Sequence, residues 1–533
     1  MRVPLIGGVV RDAETVASTT VLLARTGVLA PVRPTRLFGM ASAFARYGTT
    51  LGAALAAGRA RHPDRVAVID DLGATTYAEL DLRANVIAHE LAERGIEARS
   101  RVGVLARNSA EFVAVVGALS KLGATTIYLN TGFAGMSLAN ALDDEGVTAV
   151  VYDEEFGGLL EKSLADRLGV VVETLPKGGE DSEPAKPAKH GGQVILTSGT
   201  TGRAKGAERA MPSGLAALEP ITALLGAIPL RAGQPTVVAA PMFHTWGFAH
   251  LGLGLALGST LVVRRKFDSA TTLADVERTQ ATALVVVPVM LQRMCELSEG
   301  KANYDVSSLR VVAVSGSALP IETARRFSER YADAVYNLYG STEVAYASVA
   351  TPRDFREAPG SVGRPLRGGV VEILDDKGEK VPAGEVGRIF VGNPMTFAGY
   401  TSGGDKDRVG GLVATGDVGR FDDNGRLFVE GRDDDMVISG GENIFPQQVE
   451  ELLLARSEVA DAAVVGVPDE KFGARLVAHV VPRDGDDVDV EALKAHIRES
   501  LGRIYVPRDV VMHDELPRNE TGKVLKRELR EQE

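Results

Sequence analysis

The chain is poor in three things, and each absence removes a class of function. It has one cysteine, Cys295, in 533 residues. One cysteine can form no internal disulfide and no cysteine-clustered zinc site, and it suits a reducing cytoplasm. It lies in the amphipathic run Val289 to Leu297, where core packing is the expected role. Positive charge is also in deficit: 59 Lys and Arg stand against 71 Asp and Glu, a net charge of −12. That balance argues against broad nucleic-acid binding, which needs a basic surface. No apolar stretch approaches the roughly 18 uninterrupted residues that a spanning helix requires. Val16 to Ala30 is broken by Thr19, Thr20, Arg25 and Thr26, and no signal peptide is evident. The G-x-S-x-G elbow of serine hydrolases and the G-K-[ST] of a Walker loop are missing too.

What remains is a chain with 45% hydrophobic and 24% charged residues, too long for one ordinary core. From Arg65 to Tyr128, β-rich runs (Val66 to Ile69, Val102 to Leu105) alternate with a helical pattern over Tyr77 to Glu93. Such alternation predicts layered α/β structure with largely parallel strands. The pattern resumes at Thr236 to Val238, Leu261 to Val263, Ala283 to Val287 and Val311 to Val314. Residues 176–192 are polar and turn-rich, the composition of an exposed connector. After Asp434 a compact α+β unit is expected, with helices over Gln447 to Ala455 and from Val490 to Leu501, and strands over Ala463 to Val467 and Leu476 to Val481. The expected domains are an extension (1–48), a large α/β core (49–433) and a small α+β domain (434–533). Within the extension, Arg36 to Tyr47 mixes arginines with Leu37, Phe38, Met40 and Phe44. That composition suits a membrane surface, although a helix packed on the body of the protein is the favoured reading.

The most informative segment is TSGTTGRAKG, Thr197 to Gly206, directly after the apolar Val194-Ile195-Leu196. Thr197, Ser198, Thr200 and Thr201 supply hydroxyls, Gly199 and Gly202 let backbone N–H groups approach an anion, and Lys205 supplies a counter-charge. A phosphate-cradling loop at a strand end is the reading. Gly316, Ser317 and Ala318 follow Val311 to Val314, with Pro320 placed to open a helix. The heptad NLYGSTE, Asn337 to Glu343, places Tyr339 to stack on a base, with Gly340 and Ser341 next to it. Thr342 is placed to bond a phosphate oxygen and Glu343 to hold Mg²⁺, a hard cation that prefers oxygen. Asp417 in Thr415-Gly416-Asp417 offers a carboxylate suited to ribose hydroxyls. The run Gly431 to Pro446 carries Arg432 and paired glycines, and Lys523 sits in a glycine-preceded loop near the end.

In their order these segments resemble the adenylate-forming superfamily of acyl-CoA synthetases, luciferases and nonribosomal adenylation domains. The likeness extends from about Thr49 to Glu533, and within the superfamily it is greatest to bacterial fatty-acid–CoA ligases. The resemblance implies ATP-dependent activation of a carboxylate as acyl-AMP, then transfer to coenzyme A, with Mg²⁺ as cofactor. It implies that Thr197 to Lys205 hold the β- and γ-phosphates and that Gly316 to Ala318 and Tyr339 sandwich adenine. Thr342 would contact the α-phosphate, Glu343 the Mg²⁺, and Asp417 and Arg432 the ribose. Lys523 would bridge carboxylate and α-phosphate, an electrostatic role. Asp434 would be the hinge of a mobile C-terminal lid, and Ser439, Gly440 and Gly441 would border the pantetheine arm. His244, Trp246 and Gly247, in PMFHTWG, are expected at the acyl pocket, with His244 and Trp246 as gates and Gly247 leaving space. His244 as catalytic base is the less favoured alternative. A medium- or long-chain fatty acid, from TGFAG (Thr131 to Gly135) and PMFHTWG, is the expected substrate. Loading of a carrier protein, or a catalytically silent paralogue, are the alternatives. A cytoplasmic protein, with a dimer as the favoured oligomer, completes the expectation, and peripheral membrane contact is its less favoured alternative. Three departures stand out: Tyr505 runs directly into Val506-Pro507 without the usual lysine, Gln448 replaces a common glutamate, and Tyr400 to Val413 is short and lacks the usual Trp.

Overall fold

The computed structural model describes residues 19–28, 31–133, 135–198, 204–208, 218–298, 303–401, 403, 405–439, 442–469, 473–483, 488–519 and 522–532. Its centre is a sheet of nine strands. Six of them run parallel, in the spatial order Val335–Tyr339, Val311–Val314, Ala283–Val286, Thr236–Val238, Leu261–Val263 and Val66–Asp70. Val311–Val314, Ala283–Val286 and Leu261–Val263 are short, continuously apolar runs buried along their whole length. Strands covered on both faces read this way, because neither side meets water. Parallel pairing places all their C-terminal ends on one edge. The segments from 240, 287, 315 and 340 onward therefore emerge side by side, where ligands of open α/β sheets bind.

A second sheet, of six strands, orders Leu168–Val171, Ala149–Tyr152, Arg101–Leu105, Thr125–Tyr128, Gln193–Ser198 and Ala204–Glu208. The helices Tyr77–Glu93 and Ala110–Leu122 share one continuous core with both sheets. The first opens on a capping box between Thr76 and Glu79, which satisfies two helix-end N–H groups reciprocally. The second starts at Ser109 and stops at Gly123, which is left-handed at φ 76°. Only glycine fits there, since a Cβ would lie 2.2 Å from the Lys189 carbonyl oxygen. Lys121 of the second helix is buried against the first, its Nζ donating to Asp81 at 2.5 Å and to Asn85 at 2.6 Å.

The connector 176–192 is polar as expected, but it is strapped down. The Asn85 side chain donates to the Asp181 carbonyl at 2.8 Å and Arg46 to that of Pro184 at 2.5 Å. Lys186 donates to the Ala45 carbonyl at 2.9 Å, and Arg83 donates to that of Pro176. The strap joins strands that stand four places apart in the six-stranded sheet. Helix Pro34–Tyr47 packs through Ala43 and Tyr47 onto Ala53, Ala56 and Ala57 of helix Leu51–Arg61, leaving Leu37, Phe38 and Phe44 exposed.

Antiparallel strands Val370–Leu374, Gly387–Gly392, Leu412–Phe421 and Leu427–Arg432 form a third layer. Beyond it lies the smaller α+β unit. A hairpin of Val437–Ser439 and Glu442–Ile444 precedes a three-stranded sheet of Val459–Asp469, Gly473–Pro482 and Asp509–Met512. Helices Pro446–Leu454 and Val490–Leu501 cover one face. Leu516 and Leu529 pack with Val465 and Val477 on a separate cluster. A large α/β body with a small α+β unit is the architecture expected from the sequence. Gln448 donates to Glu430 at 2.9 Å across the two parts. A glutamate at 448 would set two carboxylates against each other, which gives the departure a physical reason.

Candidate active site

The strand Val335–Tyr339 delivers Tyr339 to the C-terminal edge of the central sheet. Its hydroxyl donates to Asp417 Oδ2 at 2.5 Å and lies 3.2 Å from Thr415 Oγ1. Burial, and then the Asp417 charge, push the phenol well above its ordinary range. Asp417 and Arg432 are register partners on neighbouring strands, and Arg432 Nη1 approaches Asp417 Oδ1 at 3.3 Å. Arg432 also donates through Nε to Asp434 at 2.9 Å. Tyr339, Asp417, Arg432 and Asp434 thus form one hydrogen-bonded chain. The Tyr339–Asp417 bond has no signature in the sequence, because the partners are 78 positions apart. Each Asp417 oxygen keeps a second lone pair for a hydroxyl ligand.

After Tyr339 the chain turns sharply through Gly340, whose Cβ would lie 2.5 Å from the Ala345 carbonyl oxygen. Ala345 itself is left-handed, φ 59°, a conformation that costs a residue with a side chain. Within this turn the Glu343 N–H donates to Ser341 Oγ at 3.2 Å, and Thr342 is half-buried beside it. Glu343 Oε1 accepts from Tyr400 at 2.7 Å. Burial raises the Glu343 pKa, but hydrogen bonds from Tyr400 and Ser341 outweigh it, so the carboxyl sits below its usual range. Lys205 Nζ stands 5.0 Å above the ring of the same Tyr400.

Lys205 pairs with Thr197 across strands Gln193–Ser198 and Ala204–Glu208. Gly199, Thr200, Thr201 and Gly202, at the tip between these strands, lie outside the described residues. So do Gly440 and Gly441, between the paired Ser439 and Glu442. Gly316 is left-handed, φ 104°, and exposed together with Ala318, with Ser317 half-buried between them. Ser315 ties this turn to the next strand by donating to the Leu338 carbonyl at 2.8 Å.

Lys523 is exposed on a braced turn. Its N–H donates to Asn519 Oδ1 at 2.9 Å, and the Asn519 N–H donates back to the Lys523 carbonyl at 2.9 Å. Arg518 donates to the Gly522 carbonyl and to Asp461. Gly522 is left-handed and presses on Val289, so closely that a Cβ would meet Val289 Cγ1 at 2.1 Å. Val289 is the second residue of the helix Pro288–Cys295, which follows strand Ala283–Val286. The turn before Lys523 is therefore docked on the C-terminal edge of the sheet.

The segment 241–247 differs from expectation at Gly247. Gly247 leaves no space: a Cβ there would lie 2.3 Å from the Pro241 carbonyl oxygen, so glycine serves a close backbone approach. Trp246 is buried, with its indole N–H directed at the Ala313 carbonyl at 3.4 Å and its ring edge-on to His250 at 4.2 Å. His244 stands against Phe243 with ring centroids 4.5 Å apart, its Nε2 buried without a partner. Burial pushes His244 down to about 4, and His250 likewise. A neutral imidazole this weakly basic suits a gate better than a proton acceptor.

Together with His62 and His479, which burial also pushes down to about 4, these two histidines contribute to an acid limit. Unfolded, they titrate near 6.5, while the native protein holds them neutral down to about 4. Stability should be level above pH 7 and fall as pH drops from 6.5 toward 4. At pH 5 the loss is on the order of 1–2 kcal/mol for each. Thermal melts at pH 7.5 and 5 should diverge accordingly, and His250→Asn should flatten the slope. An unchanged slope would show that His250 is not held neutral.

The AMP-binding enzyme model matches residues 55–401, and its C-terminal domain model matches 448–523. The chain belongs to the AMP-binding enzymes, the adenylate-forming superfamily of acyl- and aryl-CoA ligases. A 2-succinylbenzoate–CoA ligase of Geobacillus kaustophilus is 32% identical over 474 residues, 88% of this chain and 95% of that protein. A feruloyl-CoA synthase of an Amycolatopsis species is 33% identical over 475 residues, 88% of this chain and 96% of that one. Among solved structures, an amide bond synthetase from Marinactinospora thermotolerans superposes with a TM-score of 0.78 at 30% identity, covering 88% and 96% of the two chains. The activity this membership carries is ATP-dependent ligation of an acyl or aryl acid to coenzyme A through acyl-AMP. Among the described residues no helix is long and apolar enough to cross a membrane.

Proposed function

We propose that this protein is an aromatic carboxylate–CoA ligase. One observation carries the nucleotide half of that reading: the carboxylates of Asp417 and Glu343 and the cations of Arg432 and Lys205 are gathered through Tyr339 and Tyr400 at the edge where the parallel strands end. Asp417 and Arg432 receive the ribose, Tyr339, Gly340 and Ser341 with Gly316, Ser317 and Ala318 flank adenine, and Thr342 takes the α-phosphate. The loop from Thr197 to Lys205 holds the outer phosphates.

The half-buried Glu343 carboxylate fits Mg²⁺, a hard cation usually held by one or two carboxylates together with nucleotide phosphates. When bound, Mg²⁺ supplies charge neutralisation at the phosphates. A carboxylate oxygen of the substrate attacks the α-phosphorus and pyrophosphate leaves, while Lys523 balances the charge between the two anions. The 434–533 unit then turns about Asp434. Lys523 withdraws, and the hairpin of Ser439, Gly440 and Gly441 comes to border the coenzyme A thiol. The sulfur attacks the acyl carbonyl and AMP leaves. His244 gates the acyl side.

The aromatic acyl group is favoured by relatives named for succinylbenzoate and ferulate. The fatty-acid expectation rested partly on PMFHTWG, and there Gly247 faces the Pro241 carbonyl rather than leaving space. Pyrophosphate and AMP release should be measured with ATP, Mg²⁺ and an acid panel from benzoate, cinnamate and indoleacetate to palmitate, with and without coenzyme A. Coenzyme-A-dependent AMP release with an aromatic acid is the expected result. Turnover confined to palmitate-like acids would restore the fatty-acid reading. Pyrophosphate release indifferent to coenzyme A would assign another acceptor, such as a carrier protein or an amine.

A further inference from the structure

Asn108 follows the strand Arg101–Leu105 of the six-stranded sheet, and its side chain reaches the segment that carries His244. Its Nδ2 donates to the Ala240 carbonyl at 3.1 Å, and its Oδ1 accepts from the Met242 N–H at 2.8 Å. The two contacts straddle Pro241, which has no N–H of its own to pair. A carboxamide offers a donor and an acceptor as a peptide group does, so Asn108 gives residues 240–242 the pairing that an adjoining strand would give. Asn108, Ala240 and Met242 are all buried. The backbone around Asn108 is itself pinned on both sides. The Arg107 N–H donates to the buried Asp153 at 2.9 Å, and the Ala110 N–H to the buried Asp70 at 2.9 Å. Ser109, between them, caps the helix Ala110–Leu122.

The central sheet holds the same segment from its other end. The Ala239 and Ala240 N–H groups both donate to the Val285 carbonyl, at 3.0 and 3.1 Å. The Pro241 carbonyl accepts from the His244 N–H at 3.2 Å and leaves no room for a side chain at 247. The turn 241–244 is thus anchored by the backbone of one sheet and by a side chain that follows a strand of the other. We propose that Asn108 is a positioning residue of the acyl side, which sets Met242 and, two residues on, the ring of His244. With the carboxamide removed, the Met242 N–H and the Ala240 carbonyl lose that partner inside the protein, and the turn must shift to satisfy them. A displaced gate changes the fit of the carboxylate substrate. It spares the nucleotide groups Tyr339, Asp417 and Arg432, whose hydrogen bonds run to one another. The inference rests on the acyl-gate reading of His244.

The test is a double-mutant cycle between Asn108 and His244, read in kcat/KM for whichever acid of the benzoate-to-palmitate panel turns over fastest. Asn108→Ala should lower that value about tenfold or more, chiefly through KM for the acid, while ATP affinity by calorimetry stays within about threefold. In a His244→Ala background the same substitution should cost less than about threefold, because the side chain through which Asn108 acts is gone. Thermal melts show that each variant is folded. Should Asn108→Ala not fold, Asn108→Asp, which keeps the acceptor for Met242, goes through the same cycle. Equal losses in the two backgrounds, or an ATP affinity that falls in step with the acid, overturn the proposal. Unaltered acid kinetics in His244→Ala remove the gate reading and the proposal with it, a result distinct from a sensitive His244 that Asn108 does not affect. No turnover with any acid of the panel overturns the ligase reading itself, and the proposal falls with it.

Discussion

Lys523→Ala should lower pyrophosphate release in the first half-reaction by two to three orders of magnitude while leaving thioester formation from supplied acyl-AMP within about threefold. Removing one preorganised charge-stabilising group from a site of this kind typically costs about 10²–10³ in rate. The asymmetry follows from placement. The turn that carries Lys523 is braced by Asn519 and Arg518, and Gly522 seats it on Val289 beside the strand ends. An ammonium presented there can serve the step in which two anions approach each other. It has nothing to stabilise when a neutral thiol attacks an activated carbonyl. Lys523 is also exposed, so its loss should leave the fold intact. Equal loss of both half-reactions would remove it from the adenylation step.

The second large effect is expected at Asp434. Replacement by proline should spare acyl-AMP formation and depress thioester formation about a hundredfold or more. Asp434 lies in the turn between Leu427–Arg432 and Val437–Ser439, where the larger body passes into the smaller unit. Proline fixes φ and removes the torsional freedom a hinge needs. The Asp434 carboxylate also accepts from Arg432 at 2.9 Å, so proline changes two things at once. Asp434→Ala separates them, losing the contact while keeping the torsion, and should retain the second step. Rapid-quench measurement of each half-reaction distinguishes these cases. An unaffected overall rate in Asp434→Pro would place the hinge elsewhere.

Apolar runs announced five of the six parallel strands of the central sheet; Val335–Tyr339, interrupted by the polar Asn337, was not among them. Val311 to Val314 and Tyr77 to Glu93 are a strand and a helix with those same ends, because burial on both faces and a capped helical stripe each leave a local pattern. The smaller unit was read with its strands too short. Val459–Asp469 runs well past the apolar Ala463 to Val467, since its ends pair by backbone and need no apolar side chains. Tyr339, Glu343, Asp417 and Arg432 were legible as types at spacings. Their hydrogen bonds were not, because each spans strands brought together only by the sheet. Tyr400 was missed outright. A tyrosine in a Gly/Asp-rich stretch carries no periodic signal, and its partner lies 57 positions away. Gly247 was misread for the opposite reason: a motif was legible, but the close approach of the Pro241 carbonyl decides what that residue does.

The strap over 176–192 has a consequence for chain topology. Parallel strands are usually joined by a helix that crosses the sheet face, and that helix contributes to the core. Here the crossing is made by exposed polypeptide that helices already in place hold by its carbonyl oxygens. Covalent continuity across the strap is thus separable from the packing beneath it. The protein can be opened there into two chains that still share one core, which makes the strap the natural seam for cutting, permuting or inserting into this fold.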